Sequence, residues 1–319
     1  AEFSQVSGYL YVISVVKGSP AEKAGLKSGD FIEYIETKAT RDISLYDARQ
    51  LLLGDAGTKI KLRVLRPNVK AQTIEITRGS YKIPEAEVKI EEGKIGNIKV
   101  HSLEEGEVND IRNQVQQLQK QGVQKIVLDL RGVAAGTIGE AVAVANLFIK
   151  DGNLGQVIGR ESKVLKTYSA DASKFLFDGK LVVLIDLGTA GAGEIIASAV
   201  IERQRGEVVG ERSFGAGTEQ QLFALRGGDG LLLTTSKWAS ATGKAFLGDD
   251  RANSGVKPSV EVKRVENSDE VDPEELSEQN ENQQAETPNP NDKNKPAAED
   301  IQLKKALELL SDKAMQKAA

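Results

Sequence analysis

Two stretches constrain this chain more than any others: KIVLDL at residues 125–130 and LVVLIDL in the run that starts at residue 181. Neither alternates apolar with polar residues, so neither suits a strand with one face in water. An uninterrupted Ile/Val/Leu run is the pattern of a strand covered on both faces, as in a parallel sheet. Each is followed by a glycine-containing turn and a helical pattern, at residues 137–150 and 194–204. An earlier pair repeats the arrangement. Residues 94–100 read as a strand, and residues 105–121 as a helix with Val108, Ile111, Val115 and Leu118 on one face. Such alternation implies an α/β domain with a largely parallel core. Short strands should follow at residues 207–210, 220–225 and 230–236.

This α/β region takes in residues 81–264. Residues 1–80 have another character. Runs at 8–16, 30–35, 59–66 and 72–77 are dense in Val, Ile and Tyr and bounded by Gly, Pro and Asn, which is strand chemistry. Between them, residues 44–53 predict one helix, with Ser44 as N-cap and Leu45, Ala48, Leu51 and Leu52 as its buried stripe. Residues 265–297 are rich in Glu, Asn, Gln and Pro and hold no aromatic residue. They offer too little apolar surface to offset their ordering entropy, so a disordered linker is expected. Residues 298–319 resume a helical pattern, with Ile301, Leu303, Ala306, Leu307 and Leu310 apolar. That helix needs a surface to dock on.

Charge and composition narrow the function classes. The net charge of −5 is local in origin: residues 265–300 hold 12 acids and 2 lysines, which leaves the rest of the chain mildly basic at +5. Neither value resembles the clustered basic surface of a nucleic-acid protein. The absence of cysteine excludes disulfides, thiolate metal sites and a Cys nucleophile. A lone histidine, His101, argues against a zinc site and leaves one narrow route to a Ser-His-Asp triad. No metal and no cofactor is therefore expected. No apolar run reaches the roughly 18 residues of a spanning helix. The chain opens on Ala1 without a charged-then-apolar leader, so it reads as a mature form or a fragment.

Two motif groups then point to a family. GSPAEKAGLKSGD at residues 18–30 resembles the loop and short helix of PDZ domains in bacterial envelope proteases, and residues 48–66 resemble the groove helix and last strands of the same domain. The resemblance implies binding of a peptide C-terminal tail by β-augmentation between a sheet edge and the helix. Tyr9, Leu10, Tyr11, Val12, Ala48, Leu51 and Leu52 are the expected contacts. The carboxylate-holding loop would lie at or before Ala1. IVLDLRGVAAG at 126–136, VVLIDLGTAGAGE at 182–194 and GERSFGAGTEQ at 210–220 resemble the core of S41-type carboxy-terminal processing peptidases. The resemblance implies a ClpP/crotonase-like α/β core beside a small β-rich PDZ domain. It also implies a bacterial periplasm or cell envelope, protein C-terminal tails as partners, and room for a homo-oligomer.

The same resemblance implies a serine nucleophile and a lysine base, and here both are replaced. Gly191 stands at the nucleophile position and Ala216 at the base position, 25 residues apart as the pattern requires. Gln220 keeps the pattern's glutamine. Ala135, Gly136 and Ala192 would supply the oxyanion-hole backbone, although GVAAG at 132–136 keeps only the last glycine of the usual turn. A glycine cannot attack and an alanine cannot accept a proton. The chain is therefore expected to be an inactive homologue that binds tails. Two alternatives remain: an active peptidase with a relocated nucleophile (Thr189, Ser198, Ser213 or Thr218 served by Lys237), and a plain PDZ adaptor. Ordinary structural roles are expected for His101, for Asp129 with Arg131 at a strand end, and for Glu194 at a helix start.

Overall fold

The computed structural model describes residues 1–67, 69–227, 230–250, 253–264 and 299–311. The expected linker at 265–297 and the last eight residues of the helical pattern expected at 298–319 lie outside these residues. The chain divides into two compact units, one built on residues 1–83 and the other on residues 84–263 with the final helix.

The first unit is a six-stranded antiparallel sheet with one long helix. Its elements are β1 (Glu2–Val6), β2 (Tyr9–Ser14), α1 (Pro20–Lys23), β3 (Phe31–Ile35), β4 (Lys38–Ala39), α2 (Leu45–Leu52), β5 (Lys59–Arg66) and β6 (Val69–Thr77). The sheet order is β1-β2-β3-β5-β6, with β4 against β3. Leu10, Val12, Ile32, Leu62 and Val64 form its core, closed by Ala48 of α2 and Leu26 of the turn after α1. Ser19 and Ser44 cap the two helices, accepting from Glu22 N and Asp47 N, the second as the sequence predicts. Asp30 is buried beneath Arg66, whose guanidinium also bonds the Gly25 carbonyl, tying the 18–30 loop to the end of β5.

The second unit holds two sheets. Its elements run β7 (Glu87–Glu91), β8 (Ile95–Lys99), α3 (Glu107–Lys120), β9 (Lys125–Asp129), α4 (Ile138–Phe148), β10 (Asn153–Ile158), β11 (Val164–Ser169), β12 (Lys180–Ile185), α5 (Ala192–Glu202), β13 (Glu207–Gly210), β14 (Thr218–Ala224), β15 (Gly230–Ala239), β16 (Val260–Glu261) and α6 (Ile301–Leu310). The larger sheet has the order β16-β13-β12-β9-β8-β7 and is parallel except for β7. The two uninterrupted apolar runs form its adjacent central strands, β9 and β12. One face packs on α3, α4 and α5 through Ile126, Leu128, Val183, Ile195 and Val200. The other carries Ile95, Val127, Val182, Leu184 and Val209, covered by Ala306 and Leu310 of α6. Both faces of the central strands are thus dry. The smaller sheet, β11-β10-β15-β14, is antiparallel.

Candidate functional site

Three turns meet at the carboxyl ends of β9 and β12, where an open parallel sheet leaves its crevice. The turn after β12 is anchored by buried Asp186, which accepts from Gly188 N (3.0 Å) and reaches the turn after β9 by accepting from Gly132 N (2.9 Å). Thr189 spends its hydroxyl on the Leu130 carbonyl (2.9 Å), and Ala190 N donates to Val133 O (3.0 Å). The loop after β13 joins through Phe214 N, which donates to Thr189 O at 2.9 Å.

Gly191 sits where this turn gives way to α5. Its backbone has φ +49° and ψ −100°, a conformation that strains any residue with a side chain. Space is not what demands glycine: a Cβ here would meet Trp238 Cζ3 at an ordinary 3.5 Å. The turn therefore keeps the sharp strand-to-helix geometry that presents a side chain at the crevice, and presents none.

Glu194 connects this turn to the base position. It is fully buried in the first turn of α5. Its Oε2 accepts from Gly191 N at 2.7 Å and from Ala216 N at 2.9 Å. Its Oε1 accepts from Gly215 N at 2.8 Å and from the Ser213 hydroxyl. Because the amides of 191 and 216 share one oxygen, the two positions lie no more than two hydrogen-bond lengths apart. Burial pushes the Glu194 carboxyl up to about 7, against four donors that each favour the charged form. Sequence reasoning gave Glu194 only a helix-dipole role, because three of its partners are 19 to 22 residues away.

The other expected site residues are distributed as follows. Ala192 opens α5 and is buried. Ala135 and Gly136 lie in the turn before α4. Gly136 is held by strict packing, since a Cβ would fall 2.5 Å from the Leu103 carbonyl. Gln220 lies on β14, exposed, with its amide 3.5 Å from Thr234 Oγ1 across the hairpin. The candidates for a relocated dyad have other bonds: Ser213 donates to Glu194 and accepts from Val256 N, Ser198 donates to Ile195 O, and Lys237 donates to Leu247 O at 3.1 Å. His101 lies 3.2 Å from Glu87. Asp129 is flanked by Lys99 and Arg131. Burial opposes its charge, but these two cations outweigh burial and hold the carboxyl below the usual aspartate range.

The peptide-binding expectation needs correction. Tyr9, Leu10, Tyr11 and Val12 lie on β2, which is paired on both sides: Phe3 faces Val12 and Gln5 faces Leu10 across β1, while Leu10 faces Ile32 across β3. No peptide strand fits beside them, and all four are buried. The terminal strand on this side of the sheet is β1, with β6 at the other end. From α2, Arg49 reaches the Phe3 carbonyl at 3.5 Å. Ala48 is buried and Leu52 packs against the core, while Leu51 is 37% exposed. Two residues on from Arg49, Leu51 points to the opposite flank of the helix, since a helix turns through about 100° per residue.

A family model described as peptidase family S41 matches residues 94–262, and a PDZ domain model matches residues 11–66. The carboxy-terminal processing protease CtpA of Bacillus subtilis is 32% identical over 267 residues, which cover 82% of this chain and 55% of that protein. The carboxyl-terminal-processing protease of a Picosynechococcus species is 34% identical over 233 residues, covering 72% of this chain and 56% of that one. The chain thus spans about half the length of the curated relatives it matches. Among solved structures, the photosystem II D1 C-terminal processing protease superposes with a TM-score of 0.72 at 28% identity, over 82% of this chain and 70% of that one.

Proposed function

The chain belongs to peptidase family S41 and carries a PDZ domain ahead of the peptidase-type core, and from that premise we propose that it is a pseudoprotease that holds protein C-terminal tails without cutting them. One observation carries the reading. The turn at Gly191 and the loop at Ala216 are bound to the same carboxylate oxygen, so the frame for a Ser-Lys pair is assembled around two residues that have no reactive group. Backbone donors alone could still stabilise an oxyanion, but in serine peptidases that leaves only a residual rate of about 10³-fold over water. The envelope setting is part of the proposal, carried over from the family resemblance.

The test is a serine-reactive fluorophosphonate probe with an unstructured tail peptide as substrate. The native chain should take no label and release no product. Gly191→Ser alone should stay silent for want of a base, while Gly191→Ser with Ala216→Lys should label. Stoichiometric labelling of the native chain at any hydroxyl would establish the relocated-nucleophile alternative instead.

The tail groove in this proposal is the outer edge of β1 with the α2 flank that bears Tyr46 and Arg49. By titration, Tyr46→Asp with Arg49→Asp should weaken tail-peptide binding about 10-fold, or about 1.4 kcal/mol. Leu51→Asp, on the opposite flank, should leave it unchanged. The reverse ranking would return the groove to the residues first expected.

A further inference from the structure

The outer edge of β1 is not simply open. Across the β1–β2 ladder Phe3 faces Val12 and Gln5 faces Leu10. Val12 gives its N–H to Asp30 O and its carbonyl to Gly29 N, both on the β3 side, and Leu10 N donates to Thr40 Oγ1. These are therefore the pairs of an antiparallel ladder that exchange no bonds with each other. Phe3 and Gln5 turn their own N–H and C=O groups outward, where an added strand would meet them. One of those two carbonyls is already engaged, since Phe3 O is the atom that the Arg49 guanidinium reaches at 3.5 Å.

Arg49 is exposed on α2. Among the described residues its side chain has that one long bond and no carboxylate partner. Two other arginines of this unit do have one: Arg63 pairs with Glu33 at 3.1 Å, and Arg66 with Asp30. Asp47, two residues before Arg49, accepts instead from the Ser44 hydroxyl at 2.7 Å. A peptide strand added to β1 sends an N–H to Phe3 O. It thereby displaces the guanidinium from its acceptor and covers it in the same step. A cation covered without an acceptor is costly, so the ligand that fits brings the acceptor with it.

The pleat fixes where on the ligand that acceptor belongs. Phe3 packs against the core beside Leu45 and Leu52 of α2. The Gln5 amide donates to Ile43 O, just before the same helix, at 3.3 Å. Both side chains thus lie on the α2 face. A ligand residue opposite Phe3 shares that face and comes up beside Arg49, while its two neighbours point to the other face. The charge of the unit favours an acid there too: residues 1–83 carry 13 basic and 9 acidic side chains.

We infer that Arg49 is a specificity residue, selecting tails that bear an acidic side chain opposite Phe3; the inference rests on the tail groove proposed above. Fluorescence polarisation on the whole chain tests it, using a labelled alanine- and valine-rich tail peptide with one aspartate moved along its last positions. Binding should tighten about 5-fold at one position, the upper end for a partly exposed ion pair, and at neither adjacent one. Lysine at that position should weaken binding by a similar factor, and Arg49→Glu should reverse the ranking of the two peptides. Arg49→Gln should erase the gain from aspartate and leave the neutral peptide's affinity unchanged. Both variants should keep the native thermal midpoint, because the residue they replace is exposed. Aspartate that helps nowhere, or equally at adjacent positions, while the neutral peptide binds would overturn this inference and leave the tail groove standing. So would a gain that survives Arg49→Gln, or an Arg49 effect that disappears when the peptide's terminal carboxylate is amidated, which would make the terminus the acceptor. If no peptide binds, neutral or charged, the tail-binding reading falls together with it.

Discussion

Glu194→Ala is expected to cost about 4 kcal/mol or more of unfolding free energy, a large share of the roughly 5–15 kcal/mol a domain has to lose. The substitution does not remove one contact. It orphans four donors at once, the amides of Gly191, Gly215 and Ala216 and the hydroxyl of Ser213. Each buried donor left without a partner costs about 1–3 kcal/mol, less where water enters. Urea unfolding of the native chain and the variant measures the difference, and a loss below about 1 kcal/mol would show that the carboxylate is not what holds the two loops together. The same residue sets a pH dependence. The folded state keeps its proton up to about 7, against 4.5 for the ordinary carboxyl. A raised folded value means that the stabilisation is complete below the unfolded value and is lost as pH rises through about 7. The loss levels off at roughly 3 kcal/mol. Asp129 works at the other end. Its carboxyl is held below the usual range, so its contribution is present above that range and disappears in acid. Stability should therefore peak on the weakly acidic side. Glu194→Gln should flatten the alkaline limb while lowering the whole curve, because in either orientation its amide nitrogen would face at least one N–H donor. A native curve level between about pH 5 and about pH 8.5 would sink this account.

What the sequence showed and concealed follows from the range of each interaction. The central strands were legible because burial on two faces leaves a local signature: KIVLDL and LVVLIDL became β9 and β12 in neighbouring positions. Helix α2 was legible from Ser44, and α3 from the stripe of Ile111, Val115 and Leu118, all buried. Strand β1, EFSQV, was missed because a half-exposed edge strand with two apolar side chains has almost no local pattern. That omission put the expected peptide contacts on β2, which β1 and β3 flank on both sides. A signal was present even so: YLYVIS is buried at every position, and a continuous apolar run belongs inside a sheet rather than at its rim. At the crevice, the missing serine and lysine could be read letter by letter. The four-donor role of Glu194 could not, since it depends on a loop some twenty residues away. Gln220 kept its letter and still lies on the exposed hairpin, because identity at a position does not fix where a side chain points.

The second large effect is expected from the far side of the sheet. Ending the chain before residue 299 should leave the core unit unfolded or aggregated. Helix α6 lies over Ile95, Val127, Val182, Leu184 and Val209, each at most 2% exposed. Re-exposing a fully buried aliphatic side chain costs about 1.5–3 kcal/mol. Baring even part of this face approaches the 5–15 kcal/mol that a domain of this kind has in total. A point change should report the same contact at smaller scale. Ala306 is fully buried against the strands, so Ala306→Asp places a carboxylate there without a partner and should cost about 3–5 kcal/mol. Docking is specific as well as apolar. Gln302 is fully buried; its amide donates to Val262 O at 2.9 Å, and its oxygen accepts from Arg131 at 3.2 Å. Arg131 in turn holds Asp129, one residue before the turn whose Gly132 amide bonds Asp186. The helix that closes the back of the sheet is thus two hydrogen-bonded steps from the turns that form the crevice. Gln302→Leu keeps the apolar cover and removes only this latch, so it should cost about 1–3 kcal/mol, with amide exchange rising first in the 130–136 turn. If the truncated chain unfolds at the same urea concentration as the whole one, α6 rests on a face that was stable without it. An acidic tether of more than thirty residues would then have no structural reason to bring it there.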